Sequence, residues 1–357
     1  MPAHDRPIEI AWFAALCDDD AEYLGEDEPD LASSWAHCSD IAVAADRCGF
    51  DNLLLPSGYS LGIDSVAFAG GVAPLLADIR LLVAVRCGEL WPPQLARQLA
   101  SLDEMLGPAR DGSSRLTVNI ISSDLPGAPV ESEARYRRTS EVMQVLRGLL
   151  DGHRVEHHGE FYDLEIDPPR IAHSGRGCPT LYFGGLSEPA REVAAQEADV
   201  YVMWPDKMGT VAELIGDLRR RATAHGRELR FGYRVHVIVR ETESEARSAA
   251  EQVVSRLDDA VGEEIRGRSL DSSSVGVSRQ TALRAGATDD GYVEPHLWTG
   301  IGRARSGCGA AIVGDPGQVR DKLAAYRDLG IDSFILSGYP HRTEAERFAR
   351  LVMPLIR

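Results

Sequence analysis

Two polar, ionisable side chains interrupt an apolar stretch of the chain, FGYRVHVIVRET, which spans residues 231–242. Arg234 and His236 lie two residues apart, and in a β-strand that spacing places both side chains on one face of the sheet. An unpaired guanidinium is costly to bury, so Arg234 must meet either an anionic ligand or an acidic side chain of the protein. The first alternative predicts an anion-binding site beside this strand, and the second predicts a structural ion pair.

Two further segments near the carboxyl terminus place polar side chains in turns. LSGYPH ends an apolar run at a turn that carries Tyr339, whose ring either belongs to a site or closes the end of the fold. WTGIGRARSGCG has Arg303 and Arg305 among four glycines, and such a loop either orders over an anionic ligand or stays a solvated basic patch. Both segments are therefore candidates for the same anion-binding site.

The segment YFGGLSEPAREVA combines a glycine pair with the start of a helix. Gly184 and Gly185 follow a candidate strand, and Ser187 is a good N-cap for the helix that comes next. Free amide groups and the helix dipole attract a phosphate at such an end, although ordinary helix capping has the same sequence signature.

Motifs for metal-dependent or nucleophilic hydrolysis are missing from the sequence. It has no HExxH, no GxSxG and no P-loop. His157 and His158 lie on a predicted hairpin, where adjacent residues point to opposite faces, so they form a poor metal site. We expect neither a metal centre nor a hydrolase.

The elements that must position these residues alternate between short β-rich runs and longer amphipathic stretches. Repeated βα units build a closed barrel or an open sheet, and an open sheet that binds a dinucleotide should carry GxGxxG after its first strand. Since that motif is absent there, the pattern predicts an α/β fold, a (β/α)8 TIM barrel with insertions. The insertions are a hairpin at about 155–165 and a polar loop at about 258–294, interpreted as a mobile lid.

Composition limits the partners more than the chemistry. The 357 residues carry a net charge of −17, which disfavours nucleic acid and anionic membranes because both attract clustered Lys and Arg. Six dispersed cysteines without a CxxC pair indicate reduced thiols. Neither a signal peptide nor a bilayer-spanning apolar run is visible, so the sequence predicts a soluble, cytoplasmic protein.

Four long strings resemble the alkanesulfonate monooxygenases of the bacterial-luciferase-like flavin monooxygenase family. They are TVNIISSD, PTLYFGGLSEPAREVAAQEADVYVMW, AHGRELRFGYRVHVIVRETESEA and LGIDSFILSGYPH, and the resemblance covers nearly the whole chain. It implies one barrel domain over residues 1–357, reduced FMN (FMNH2) as cosubstrate, O2, a separate NAD(P)H flavin reductase, and a homodimer or homotetramer. Members of that family cleave the C–S bond of a sulfonate to give an aldehyde and sulfite.

The same resemblance implies roles for individual residues. Arg234 would neutralise the sulfonate or a flavin peroxide, and Arg305 would hold the anion beneath the closed lid. His236 and Tyr339 would handle protons and orient the oxidant. The residues implied for cofactor binding are Asn119 and Trp204 beside the isoalloxazine, with Tyr136, Gly185, Leu186 and Ser187 at the phosphate.

Two loops depart from the family pattern where one wall of the substrate pocket is expected. LCDDDAEYLG replaces a THGDG-like turn, which puts Cys17 or Asp18 near the place of a histidine. SGYSLGIDS replaces TGRSCEDAW, which puts Tyr59 in place of an arginine and Leu61 or Gly62 in place of the family cysteine.

A third loop, RCGELWPP, replaces RPSVTSP and predicts Cys87 and Trp91 near the barrel mouth. The predicted substrate-pocket residues are therefore Cys17, Tyr59, Cys87 and Trp91. The loss of an arginine and the gain of two aromatic rings favour a substrate that is bulkier or more apolar than a short sulfonate.

The sequence thus predicts an FMNH2-dependent monooxygenase that acts on an organosulfonate or a related organosulfur compound. One alternative keeps this chemistry and changes the substrate to a bulkier non-sulfonate, as in secondary-metabolite tailoring. A deazaflavin-dependent oxidoreductase and a non-catalytic flavin-binding protein are further alternatives, and the retained Arg234, His236 and Tyr339 disfavour both.

Overall fold

The computed structural model describes residues 7–17, 20–59, 62–125, 127, 130–267 and 274–357. The strands in chain order are β1 (Glu9–Phe13), β2 (Asn52–Leu55), β3 (Arg80–Arg86), β4 (Leu116–Ile121), β5 (Val155–His158), β6 (Asp163–Ile166), β7 (Thr180–Phe183), β8 (Val200–Met203), β9 (Arg230–Val239), β10 (Tyr292–Glu294), β11 (Leu297–Trp298), β12 (Ala311–Gly314) and β13 (Ser333–Ser337). The α-helices are α1 (Trp35–Arg47), α2 (Ser65–Val72), α3 (Pro92–Leu106), α4 (Ser132–Leu150), α5 (Glu188–Glu197), α6 (Met208–Ala224), α7 (Glu243–Val254), α8 (Asp259–Gly267), α9 (Val275–Ala285), α10 (Pro316–Leu329), α11 (His341–Leu351) and α12 (Met353–Ile356).

Parallel strands close into a ring at the centre of the described structure. β1, β2, β3, β4, β7, β8, β9 and β13 pair in that order, and β13 pairs with β1 to complete the ring. Parallel neighbours need crossover connections, and helices provide them between most of these strands. The predicted (β/α)8 barrel is confirmed.

Alternate residues of the barrel strands belong to two apolar layers. The layer inside the barrel consists of Ala11, Phe13, Leu54, Leu82, Tyr182, Val200 and Ile335. The residues between them, such as Trp12 and Leu81, belong to the larger core that the helices cover. Because successive side chains of a strand point to opposite faces, register alone decides which residues reach the barrel interior.

β9 is the strand that carries Arg234 and His236, and its length distinguishes it. Its first part, Arg230–Tyr233, pairs with β8, and its last part, His236–Val239, pairs with β12. β12 also pairs with the short hairpin β10–β11. The two site residues therefore lie where β9 passes from the barrel into this added layer.

The insertion at about 258–294 is not the polar loop that the sequence predicts. Its described part contains α8 and α9, followed by β10. Arg279 of α9 pairs with Asp206 after β8, with Nη2 2.8 Å from Oδ1, and Gln280 donates to the Pro205 carbonyl oxygen at 2.8 Å. Both helices bury few side chains, α8 is only nine residues long, and the amphipathic period of α9 is weak in the sequence.

The small insertion at 155–165 is confirmed as the hairpin β5–β6. His157 contacts Glu141 and His158 contacts Asp163, so the two imidazoles do not share a ligand. All six cysteines are free thiols. No helix in the described ranges is long and apolar enough to cross a membrane.

Candidate functional site

The carboxyl ends of the barrel strands surround a cavity of about 310 Å³. Barrel enzymes keep their sites at this end, because the loops that follow the strands meet there. The polar and aromatic residues that line it are Phe13, Cys17, Ser57, Tyr59, Arg86, Asn119, Trp204, Arg234, His236, Arg305, Ser306 and Cys308. Three of these residues are arginines, and no described lining residue is acidic. The cavity is therefore cationic in a chain whose net charge is −17.

Arg234 is the most enclosed cation of this cavity, with 5% of its surface exposed. Nη2 donates to Ser337 Oγ at 2.8 Å, and the guanidinium lies over the Phe13 ring, 4.3 Å from its centroid. Within the described ranges Arg234 has no carboxylate partner, and its other acceptors are the Val235 and Ile335 carbonyl oxygens. A buried guanidinium without an acidic partner is poised for an anionic ligand.

His236 forms a hydrogen-bonded chain with its neighbours. Nε2 lies 3.1 Å from the Cys308 carbonyl oxygen, and Nδ1 lies 2.7 Å from Ser337 Oγ. Because a carbonyl oxygen only accepts, Nε2 carries the hydrogen, and Nδ1 of a neutral ring accepts from the Ser337 hydroxyl. Burial lowers the pKa of His236 well below its usual value, and the nearby charge of Arg234 lowers it further. His236 is therefore a neutral, oriented ring at pH 7.

We expect nitrogen NMR of the histidine-labelled protein to show His236 as the neutral Nε2–H tautomer from pH 8 down to pH 5.5. The unfolded ring takes up a proton below about pH 6.5, whereas the buried ring does not, so the folded state loses stability as the pH falls through that value. A signal of a protonated imidazole at pH 7 would contradict this prediction. His158, which is exposed on the hairpin, is the internal reference for a ring that titrates.

Tyr339 adjoins His236, and Arg305 adjoins Tyr339. The Tyr339 ring stacks on His236 at 5.5 Å, and the Arg305 guanidinium lies 5.8 Å from the Tyr339 centroid. Tyr339 is 4% exposed and lies behind the cavity wall, and burial raises the pKa of its hydroxyl. Arg303 points elsewhere and pairs with Asp259 at 3.0 Å. Of the two loop arginines, Arg305 is thus the one that faces the cavity.

Asn119 lies in the second half of β4, Trp204 directly follows β8, and both line the cavity. Two glycines allow close packing on the Trp204 indole. A Cβ atom at Gly276 of α9 or at Gly307 would lie 2.9 Å from the ring. The inserted helix therefore covers Trp204 at a distance that a larger residue would prevent.

Tyr136, Gly185 and Ser187 form a separate group at the end of β7. Gly185 has φ +150°, and a Cβ atom there would lie 2.6 Å from the Ala190 Cβ and 3.4 Å from the Tyr136 hydroxyl. Ser187 Oγ caps α5 by accepting from the Ala190 amide at 3.4 Å. Leu186, between them, is half-buried. The structure brings these residues together beside the first turn of α5, outside the cavity.

The predicted pocket residues divide into two pairs. Cys17 and Tyr59 line the cavity, and burial raises the pKa of the Cys17 thiol. Cys87 is 1% exposed and belongs to the outer core, because it lies one residue beyond the inward-facing Arg86. Trp91 is half-exposed and packs edge-on against Tyr162 of the hairpin, with 5.5 Å between centroids. The placement of Cys87 and Trp91 in the pocket is therefore wrong. The alternative positions Asp18 and Leu61 lie outside the described residues.

Arg86 is a cavity residue that the sequence reasoning missed. It is 8% exposed and ends β3 on the same face as Leu82 and Ala84, which point into the barrel. The two-residue period of a strand could have revealed this position, because it places Arg86 on the same face as Leu82 and Ala84 and places Cys87 on the opposite face.

A buried acidic centre behind the cavity was also missed. Asp20 is 1% exposed, and its carboxylate lies 2.7 Å from His341 Nδ1 and 2.9 Å from His37 Nε2. It also accepts from the His341 backbone amide at 2.8 Å. The His341 ring packs edge-on against Tyr339 at 5.0 Å. Asp20 thereby fixes the start of α11 and the loop after β1 behind the site.

The closed parallel barrel and the cavity at its carboxyl end define a (β/α)8-barrel enzyme. The family model of the luciferase-like monooxygenases matches residues 9–333, and the chain belongs to that family of flavin-dependent oxidoreductases. It is 58% identical to the sulfoquinovose monooxygenase of Novosphingobium aromaticivorans, over 99% of this chain and 98% of the relative. It is 48% identical to the sulfoquinovose monooxygenase of Agrobacterium fabrum, over 97% of this chain and 89% of the relative.

Solved structures share the fold at low sequence identity. The EDTA monooxygenase of Chelativorans sp. BNC1 superposes with a TM-score of 0.77 at 17% identity, over 98% of this chain and 93% of that one. The superposition extends over the whole barrel, although the EDTA monooxygenase and the two sulfoquinovose monooxygenases are named for different substrates. This likeness concerns the fold alone, so the cavity residues must account for the substrate.

Proposed function

We propose that this chain is the oxygenase of a two-component system that uses FMNH2 and O2 to cleave the C–S bond of an organosulfonate. We further propose sulfoquinovose, a hexose that carries a sulfonate in place of its terminal hydroxyl, as the substrate. The names of the two relatives above support this choice, since both are similar to nearly the whole chain. The observation that carries the proposal is Arg234, which is buried at the cavity without a described carboxylate partner.

The cationic side of the cavity suits a sulfonate. A sulfonate presents three acceptor oxygens, and planar guanidinium groups match them better than a single ammonium does. Arg234 and Arg305 both line the cavity, and the Arg305 guanidinium lies 5.8 Å from the centroid of the Tyr339 ring that stacks on His236. The described lining contains no acidic residue, so none of the described lining residues competes with the substrate for Arg234.

FMN would extend from the cavity to the first turn of α5, which lies outside it. The first turn of an α-helix has amide groups without intrahelical partners, and those at the start of α5, after Gly185 and Ser187, would hold the phosphate. The Tyr136 hydroxyl is the adjoining side-chain donor, and Asn119 and Trp204 would border the isoalloxazine. When bound, reduced flavin supplies the two electrons that activate O2.

The balance of the reaction gives the arginines a catalytic task. One atom of O2 becomes the aldehyde oxygen and the other becomes water, while the substrate carbon loses one hydrogen as a proton. The C–S bond breaks, and its electron pair leaves on sulfur as sulfite. Because sulfite carries one more negative charge than the bound sulfonate, Arg234 and Arg305 stabilise the charge that develops as the bond breaks. The neutral His236, held by Cys308 and Ser337, orients this centre.

A sulfite assay tests the proposal directly. The purified chain is supplied with FMNH2 by a separate NAD(P)H flavin reductase, and sulfite is measured with sulfoquinovose and with a series of alkanesulfonates. Sulfite release that requires both FMNH2 and O2 is the expected result. Flavin oxidation without sulfite from any sulfonate would refute the substrate class, and no binding preference for reduced FMN would refute the cofactor.

We propose that α9 acts as a lid that excludes water, and Arg279→Met tests this role. The partly exposed Arg279–Asp206 pair holds the helix on the barrel, and such a pair contributes about 1 kcal/mol or less. We therefore expect the yield of hydrogen peroxide per flavin oxidised to rise by up to about fivefold, with a matching loss of sulfite. Arg220→Met removes an equally local pair with Asp217 on α6 and should leave the ratio unchanged. Equal peroxide yields in both variants would contradict a lid function.

A further inference from the structure

Arg86 is the third arginine that lines the cavity, and the proposed reaction assigns it no role. Nε donates to Ser57 Oγ at 3.3 Å, Nη2 donates to the Ser57 carbonyl oxygen at 2.9 Å, and Nη1 donates to Ser123 Oγ. These bonds use three of the five N–H groups of the guanidinium. The other two, one on each Nη atom, have no acceptor among the described residues. Arg86 is therefore rigidly held while it keeps donors available.

A purely structural arginine in the same chain looks different. Arg115 is also buried, at 5% exposure, and donates four hydrogen bonds to the backbone carbonyl oxygens of Leu76, Ile79 and Leu106. Arg86 makes one bond to a backbone carbonyl and faces the cavity. Because burying a charge with unused donors is costly, the arrangement of Arg86 points to a ligand that supplies acceptors.

The position of Arg86 in the barrel decides which part of a ligand it meets. It extends from β3, whereas Arg234 extends from β9. In the ring these strands are four steps apart by either route, through β4, β7 and β8 or through β2, β1 and β13. The two arginines therefore stand on opposite walls. A ligand whose anionic group lies at Arg234 presents its far end to Arg86.

We propose that Arg86 is a specificity-determining residue that donates hydrogen bonds to the hydroxyl groups of a sulfo-sugar, at the end of the substrate remote from the sulfonate. This inference rests on the proposed function, because it takes the sulfonate to lie at Arg234 and Arg305. Ser57, which also lines the cavity, supplies a second polar group on the same wall. An alkanesulfonate has no acceptors for these groups, so the two remaining Arg86 donors contribute to the binding of the sugar and not to that of an alkanesulfonate.

Arg86→Met tests the proposal with two substrates that share the reacting end. We measure kcat/KM for sulfite release from sulfoquinovose and from hexane-1-sulfonate, and the Kd for FMNH2. Loss of hydrogen bonds from a charged donor should lower kcat/KM for sulfoquinovose by about 10- to 100-fold. The value for hexane-1-sulfonate and the Kd for FMNH2 should stay within about twofold, since neither interaction involves Arg86. If hexane-1-sulfonate turns over too slowly, its inhibition constant against sulfoquinovose replaces kcat/KM.

Two further variants separate specificity from folding. Arg80→Met changes an arginine at the opposite end of β3, which pairs with Asp111 at 3.3 Å, and should alter neither substrate. Arg86→Lys keeps the charge and removes the planar donors, so it should reduce sulfoquinovose turnover by an intermediate factor and keeps the test valid if Arg86→Met does not fold.

Each contrary outcome has a distinct meaning. Equal losses for both substrates would show that Arg86 holds the sulfonate, and a raised Kd for FMNH2 would assign it to the flavin. Unchanged turnover of sulfoquinovose would leave it without a role. Any of the three overturns the inference. Failure of the unaltered enzyme to release sulfite from either substrate would instead refute the proposed function.

Discussion

Arg234→Met is expected to lower kcat/KM for sulfite release by roughly 10²- to 10³-fold while leaving the free energy of unfolding unchanged or higher. The loss in activity follows because Arg234 is the buried cation proposed to bind the sulfonate and to stabilise departing sulfite. The retained stability follows because the cost of burying a charge that has no described carboxylate partner offsets its hydrogen bonds to Ser337 and to the Val235 and Ile335 carbonyl oxygens. Steady-state kinetics and chemical denaturation measure the two quantities on the same preparation.

The matched control is Arg115→Met, which removes an arginine of similar burial. Arg115 donates hydrogen bonds to the backbone carbonyl oxygens of three residues, so this variant should have a lower free energy of unfolding and an unchanged kcat/KM. If Arg234→Met instead unfolds more readily and the surviving folded protein retains its activity, Arg234 is a structural residue and the proposed anion site is wrong.

The fold follows from sequence patterns that report local structure directly. Runs of apolar residues marked the barrel strands, and the missing GxGxxG motif removed the main alternative. Arg234 and Arg305 were visible for the related reason that a charge inside an apolar run, or among glycines, needs an explanation. Both residues line the cavity in the structure.

Register and long-range contacts explain what the sequence reasoning missed. Cys87 was placed in the pocket and Arg86 overlooked because the segment RCGELWPP was interpreted as a loop, although β3 continues through Arg86 and its alternation decides which side chain faces inward. α9 was missed because a helix that buries few side chains has little amphipathic period, and α8 was missed because its nine residues are a short stretch within a polar, glycine- and serine-containing segment. The contact between Asp20 and His341 spans 321 positions, and no local pattern encodes it.

That contact is the basis of the second large expectation, that Asp20→Asn lowers the free energy of unfolding at pH 7 by about 3–5 kcal/mol. Burial alone would raise the pKa of Asp20, but the charge and hydrogen bond of His341, together with His37, outweigh it and hold the pKa well below the usual range. The neutral amide removes the charge that the two imidazoles contact. Urea denaturation followed by tryptophan fluorescence measures the difference.

The pH dependence of that loss distinguishes a buried charge from simple packing. A carboxyl group whose pKa is depressed by folding stabilises the protein above its unfolded pKa of about 3.9, and this contribution disappears as the pH falls towards the folded pKa. The difference between the unaltered protein and Asp20→Asn should therefore shrink below about pH 4. Asp40→Asn, which breaks an exposed pair with Arg342, should cost less than about 1 kcal/mol. Two results would contradict this prediction: a loss of unfolding free energy in Asp20→Asn as small as that of the control, or a loss that is the same at about pH 3 and pH 7. Either would mean that the charge of Asp20 does not hold the start of α11 and the loop after β1 in place.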